Sequence, residues 1–292
     1  MKRITILTTF VALLCSVQTA LAWGNVGHRT VATIAEKHLT PETKAIVNKY
    51  LDGEPLAKNA ATWMDRVAFW AKKHWWYIPG WEQLSYWHTM VVDEKFQPSD
   101  KRSHKGGGDL LPNLKQCVEN LRNYRNLTDS AVVVNLKCVV HMVGDMHCPS
   151  HIYFTEFPDC FALPKSLDPE KKGRKARDRM IIYYNGKKMN YHHYWDQIAL
   201  TELHPEFKSS HDLFSKEFDK ASKRKRAKIC KGTIDDWVYD IAKSCRPLYN
   251  GIKEGDHIGK EYVESTGKLA QWQCAKAGYR LAHILNECFN SK

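Results

Sequence analysis

The chain has 292 residues, 43% of them apolar, and carries 44 Lys and Arg against 32 Asp and Glu. That apolar share supplies a packed core and excludes a disordered chain, while the formal charge of +12 excludes an anion-repelling surface. A polyanion is the natural partner of such a charge, although dispersed lysines also serve solubility alone.

The opening residues MKRITILTTFVALLCSVQTALAW read as a basic start (Lys2, Arg3), an apolar run and an Ala-x-Ala cleavage site at 20–22. Residues 1–22 are therefore expected to be a signal peptide, with Trp23 the mature N-terminus. Loss of Lys2 and Arg3 takes the charge from +12 to +10. Leu13-Leu14-Cys15 offers a competing lipoprotein box, but Leu14 is bulky for the position before the cysteine. No other apolar run approaches the length of a bilayer span, so residues 23–292 are expected as one secreted or periplasmic domain without a stable protein partner.

Helical spacing dominates the rest. Apolar residues recur at three and four positions in GHRTVATIAEKHL, AATWMDRVAFWAKK and SAVVVNLKCVVHMVGDMH. Thr40-Pro41 marks a helix start, a hydroxyl cap followed by a first-turn proline. Thr128 or Asp129 caps the helix that runs into His141. RMIIYYNGKKM reads as a hairpin turning at Asn185-Gly186. The basic runs Lys171–Arg179 and Lys223–Lys228 read either as solvated loops or as part of a polyanion-binding surface, and KEYVESTGKLAQWQCAKAGYRLAHILNECF as a long final helix that tolerates Gly267 and Gly278. There are no internal repeats and no linker, so the expected fold is a single mostly α-helical domain with one short β-hairpin.

Without Cys15, the cysteines number eight (Cys117, Cys138, Cys148, Cys160, Cys230, Cys245, Cys274, Cys288), an even set for which disulfides are the default in an exported protein. A zinc-thiolate knuckle would show Cys-x-x-Cys, which is missing. Cys274 and Cys288 lie about 21 Å apart along one helix at ~1.5 Å per residue, too far to bond.

Chemistry concentrates in HMVGDMHCPSH (His141–His151) and NYHHYWD. His141 and Asp145 are four apart, as are His192 and Asp196, so each pair shares a helix face. One such pair alone is usually a surface ion pair; two among apolar and aromatic neighbours are buried charges that need partners or a metal. With WGNVGH at Trp23, TWMD and WH in the same order, the chain resembles the zinc-dependent single-strand-specific S1/P1 nucleases, whose fold is shared with zinc phospholipase C. The resemblance runs from Trp23 to the C-terminus. It implies three zinc ions. The first takes Asp65, His88, His141 and Asp145, and the second His151, His192 and Asp196. The third takes the α-amine and carbonyl of Trp23, with His28 and a bridging Asp145. It also implies that Asp65 orients or deprotonates the attacking water, that single-stranded DNA or RNA is cut to 5′-phosphorylated products with 3′-nucleotidase activity beside it, and that the enzyme is a monomer. His147 falls outside the ligand set, beside it or on the surface.

The pattern departs from the family where substrate is held. Ala68 stands where an arginine often clamps phosphate, Arg66 lies on another helix face, and Thr89 replaces an aromatic ring after His88. Cys148 and Ser150 replace a glutamine and a leucine, and a longer basic segment follows His151, where a Cys148–Cys160 bridge would tether it. Two alternatives follow from these departures: a zinc phospholipase C, although that branch places a glutamate where Asp196 stands, and a secreted zinc-binding protein without catalysis.

Overall fold

The computed structural model describes residues 23–70, 81–101, 108–157, 180–249 and 252–290. Its helices are α1 (Gly24–Lys37), α2 (Pro41–Tyr50), α3 (Trp63–Asp65), α4 (Leu110–Arg122), α5 (Asp129–Met146), α6 (Tyr191–His193), α7 (Ala199–Thr201), α8 (His211–Phe218), α9 (Lys223–Ile229), α10 (Ile234–Cys245) and α11 (Lys260–Asn290). The strands are β1 (Met90–Val92), β2 (Ile152–Phe154), β3 (Ile181–Tyr184), β4 (Lys187–Asn190) and β5 (His257–Ile258). The mostly α-helical architecture expected from the spacing is the one observed.

Helix starts follow local chemistry. Thr40 accepts from the Thr43 amide at 3.2 Å, with Pro41 in the first turn, and Thr128 rather than Asp129 caps α5 by accepting from the Ala131 amide at 3.3 Å. α11 is the spine, with α1, α4, α5 and α8 packed along it. Its glycines answer to packing. A Cβ at Gly278 would lie 2.5 Å from Ile34 Cγ2 of α1, and one at Gly267 would lie 2.7 Å from Leu203. The second half of α5, Cys138 to Met146, is buried all round, as expected of a helix apolar on every side, and this carries His141 and Asp145 into the core.

The hairpin is present, with Asn185 and Gly186 both at positive φ (48° and 71°) between β3 and β4, and β5 adds a third, parallel strand. A second sheet has no counterpart in the sequence reading: β1 and β2 pair in parallel, Met90 opposite Ile152. All six residues are buried, so the alternation that announces a half-buried strand is missing. The KRKRAK run, for which a solvated loop is one reading of the sequence, is a helix, α9. Ser222 caps it, and Lys225 and Arg226 lie over Trp272 and Tyr279 of α11. Residues 1–22, the Lys171–Arg179 run and Cys160 lie outside the described residues.

The seven described cysteines are free thiols, where disulfides were the expectation. Cys117 of α4 and Cys138 of α5 meet thiol to thiol across the helix pair. Cys274 and Cys288 face different neighbours, donating to the carbonyls of Gly27 and Val118. Among the described residues no helix is long and apolar enough to cross a membrane.

Candidate metal centre

Five segments converge on Asp145, near the C-terminal end of α5. α1 brings His28, α3 brings Asp65, the turn before β1 brings His88, the turn before β2 brings His151, and α6 with the π-helical turn Tyr194–Ile198 brings His192 and Asp196. The two parallel strands set the closest pairing. Because β1 and β2 run side by side in register, His88 and His151 enter together, and His151 Nδ1–H donates to the His88 carbonyl. Gly144 makes room on the other side, since a Cβ there would stand 2.7 Å from His28 Nδ1.

The nine residues expected as ligands form one buried cluster, none more than 5% exposed, so every charge in it needs a partner. The Asp145 carboxylate meets four imidazoles: His88 at 2.9 Å, His28 at 3.2 Å, His141 at 3.3 Å and His151 at 3.8 Å. Asp65 Oδ1 lies 3.5 Å from His141 Nε2 and 3.7 Å from His88 Nδ1. His192 Nε2 is 3.0 Å from His151 Nε2 and 3.5 Å from Asp196 Oδ2. Trp23, fully buried, starts α1 with its carbonyl accepting from the Gly27 amide at 2.9 Å.

Imidazole tautomers follow from the outer hydrogen bonds. His141 donates Nδ1–H to the Ala61 carbonyl at 2.7 Å, which turns its Nε2 toward Asp65 and Asp145. His151, donating from Nδ1, likewise presents Nε2 to His192. Ring nitrogens at 3.0 Å and 3.2 Å (His151 to His192, His141 to His88) repel unless a proton or cation lies between them. The buried carboxylate oxygens of Asp65 and Asp145 are faced by imidazole nitrogens, and among the described residues no other donor reaches them in hydrogen-bond geometry. Buried carboxylates facing imidazole nitrogens make a donor set that fits divalent cations, and three subsets bring their ligand atoms within 4.8 Å of one another: His28, His141 and Asp145; Asp65, His88 and His141; Cys148, His151 and Asp196.

Electrostatics within the cluster are strongly divided. Burial works to raise the Asp145 carboxyl, but His141, His151 and His88 outweigh it and hold it well below the carboxylate range. Burial works to lower His141, yet Asp145 and Asp65 lift it to about 9. His151 is pushed by burial, with His192 and His88 adding to it, down to about 3, and burial with His141 lowers His28.

Several features escaped the sequence reading. Cys148 was read as one end of a disulfide, and it lies fully buried beside His151 and Asp196, its thiol 3.2 Å from Ser150 Oγ. His147 is not on the surface: it is fully buried, donating Nδ1–H to the Val143 carbonyl at 2.8 Å and accepting at Nε2 from Arg280 at 3.0 Å. The stretches carrying Asp65 and Asp196 are not plain α-helix, since π-helical turns follow Asp65 and contain Asp196. Of the substrate-side departures, Ala68 is buried, and Arg66 donates to the Asn59 carbonyl at 3.2 Å. Burial and the charge of Arg29 pull Arg66 down while Asp65 pulls it up, so the Arg66 guanidinium lies in the field of Asp65.

A family model described as S1/P1 Nuclease matches residues 23–290. Among curated relatives, Endonuclease 1 of Arabidopsis thaliana is 24% identical over 314 residues, covering 98% of this chain and 93% of the relative. Endonuclease 2 of the same plant is 25% identical over 289 residues (91% and 90%), and Nuclease S1 of Aspergillus oryzae is 26% identical over 305 residues (94% of each). The buried histidine and aspartate cluster, the helical frame around it and a match that runs from Trp23 almost to the end agree: the chain belongs to the S1/P1 nuclease family of phosphoester hydrolases.

Proposed function

We propose that the protein is an exported zinc-dependent endonuclease that cleaves single-stranded DNA and RNA, leaves 5′-phosphorylated products and also removes 3′-phosphates from nucleotides. The observation that carries this reading is Asp145, a fully buried carboxylate ringed by four imidazoles. A first zinc would be held by Asp65, His88, His141 and Asp145, a second by His151, His192 and Asp196, and a third by His28, Asp145 and the amine and carbonyl of Trp23. When bound, such ions supply Lewis acidity toward a phosphate and bring the pKa of water in the site to about 7.

The chain's own groups do the rest. Asp65, faced by His88 and His141, takes the proton of the attacking water and orients it. Arg66 supplies positive potential on the Asp65 side, in place of the clamp that Ala68 lacks. On the turn that carries Asp65, Trp63 meets Trp81 edge to face at 5.0 Å with Lys137 5.6 Å from its ring, an aromatic and cationic surface suited to a stacked base and its phosphate. The net positive charge draws the polyanion in.

The third site ties activity to export. A free α-amine coordinates metal when deprotonated, and an amide does not. Removal of residues 1–22 is supported by the basic and apolar leader and by a family match that starts at Trp23. Trp23 also has a φ of 45°, which is costly for a bulky residue inside a chain and carries no such cost at a chain start.

The test uses mature protein beginning at Trp23, loaded with zinc, with a single-stranded oligonucleotide followed by mass and a chelated control. Zinc-dependent fragments bearing 5′-phosphates are expected. Intact oligonucleotide in the presence of zinc-loaded protein would overturn the reading.

A further inference from the structure

Cys148 stands out from the other described cysteines. Cys117 and Cys138 face each other, Cys245 pairs with Gln273, and Cys274 and Cys288 donate to main-chain carbonyls. Cys148 alone among them shares a cluster with a histidine and a carboxylate, its Sγ, a His151 ring nitrogen and an Asp196 oxygen all lying within 4.8 Å of one another, and all three residues are buried. The backbone of Trp23 also reaches the thiol.

We infer that Cys148 is a ligand of the second metal ion, which this chain holds through sulfur as well as through His151, His192 and Asp196. The inference rests on the zinc reading proposed above. Geometry supports it. His151 Nε2 and His192 Nε2 converge at 3.0 Å, Asp196 Oδ2 lies 3.5 Å from His192 Nε2, and Cys148 Sγ completes the group from the His151 and Asp196 side. Donors around a tetrahedral zinc stand about 3.5 Å apart, given Zn–N and Zn–S bonds of about 2.0–2.3 Å. The observed group therefore closes on an ion with movements of about an ångström.

Local structure holds the sulfur in place. His147 and Cys148 end the helix with amides bonded to the Gly144 and Asp145 carbonyls, and Pro149 opens the next turn, so Cβ of residue 148 has little freedom. Ser150 Oγ, 3.2 Å from the sulfur, donates its hydroxyl proton to a thiolate. On binding, the S–H bond breaks, its proton passes to water, and the sulfur lone pair forms the bond to the ion.

Two consequences follow. With sulfur included, four protein groups would hold the second ion, where His151, His192 and Asp196 alone would supply three. A thiolate also makes the site softer, so it favours zinc, cadmium and cobalt over magnesium and manganese.

The test is cobalt substitution of the mature protein, purified without reductant and then metal-exchanged. A near-ultraviolet thiolate-to-cobalt charge-transfer band is expected on top of the visible bands of histidine and carboxylate coordination, at one thiolate per chain. Cys148→Ser and Cys148→Ala should each abolish it and keep the visible bands. Competition with a chromogenic chelator should show one zinc of the wild type released ~10–100-fold more readily in Cys148→Ser, at least the loss typical of removing an outer partner. Because the wild-type spectrum is itself decisive, misfolding of a variant cannot rescue the idea. Visible bands without charge transfer would overturn it and leave Cys148 a packing thiol, and so would a band that survives in Cys148→Ser. Mass mapping that finds Cys148 bonded to Cys160 would overturn it as well. Absence of any bound cobalt would overturn the metal reading beneath it.

Discussion

At residue 147 an imidazole is held neutral by two bonds, one given to the Val143 carbonyl and one received from Arg280, whose guanidinium also reaches Asp240 at 2.8 Å. Burial, then the charge of Arg280, holds its pKa well below the usual histidine value. The unfolded chain therefore binds a proton that the folded chain refuses, and the stability present above pH ~6.5 is lost as the pH falls. His147→Gln keeps an acceptor for Arg280 and removes the titration. Urea unfolding of chelated protein should show the wild type losing stability between pH 6 and 5 more steeply than the variant, by about 1.4 kcal/mol per pH unit. Parallel slopes would mean that His147 takes its proton in the folded state. Gly144 makes a second prediction at this scale. Alanine is the better helix former by about 1 kcal/mol, yet its Cβ would stand 2.7 Å from His28 Nδ1. Gly144→Ala should keep its helical circular dichroism and bind one zinc fewer by elemental analysis; a full complement would show that His28 has somewhere else to go.

Elements explain why these residues meet at all. The β1–β2 pair joins segments some sixty positions apart and delivers His88 and His151 from adjacent strand entries. A short parallel pair buried on both faces carries no alternation and no turn signal, so it is invisible in sequence. The π-helical turns at Arg66–Trp70 and Tyr194–Ile198 are equally silent, since no residue type marks them in the sequence. The α1–α11 contact is tighter than helix propensity alone would make it. Gly278→Ala gains about 1 kcal/mol of propensity but drives a Cβ to 2.5 Å from Ile34 Cγ2 and 3.1 Å from the Val31 carbonyl. Overpacking costs about 1–3 kcal/mol, so a net loss of stability is expected in denaturant midpoints. An unchanged midpoint would mean that α1 and α11 can part without penalty.

For the whole molecule, the function proposed above makes Trp23 the N-terminus and a working part of the site. Trp23 is fully buried, its carbonyl opens α1, and the adjoining Gly24 is so close to the Asp196 carbonyl (2.7 Å from an added Cβ) that residue 24 has no room for a side chain. On that reading, a chain carrying one extra alanine before Trp23 should fold and bind two zinc ions where a chain beginning at Trp23 should bind three, measured by elemental analysis after desalting. Three ions in the extended chain would sink the role given to the α-amine.

The sequence by itself determined the helical class, the hairpin at Asn185-Gly186 and the family, because helical periodicity and the His/Asp spacings in HMVGDMHCPSH and NYHHYWD are local properties of the chain. It also held Trp23, His28, Asp65 and His88 as members of one motif, though singly each reads as an ordinary residue. Tertiary structure decided the rest. Cys148 lies beside His151 and Asp196 only because α5 ends where α6 and the π turn arrive. His147 is buried only because α11 brings Arg280 across it. Such contacts join residues far apart in the chain, and no local spacing specifies a partner that another element must deliver.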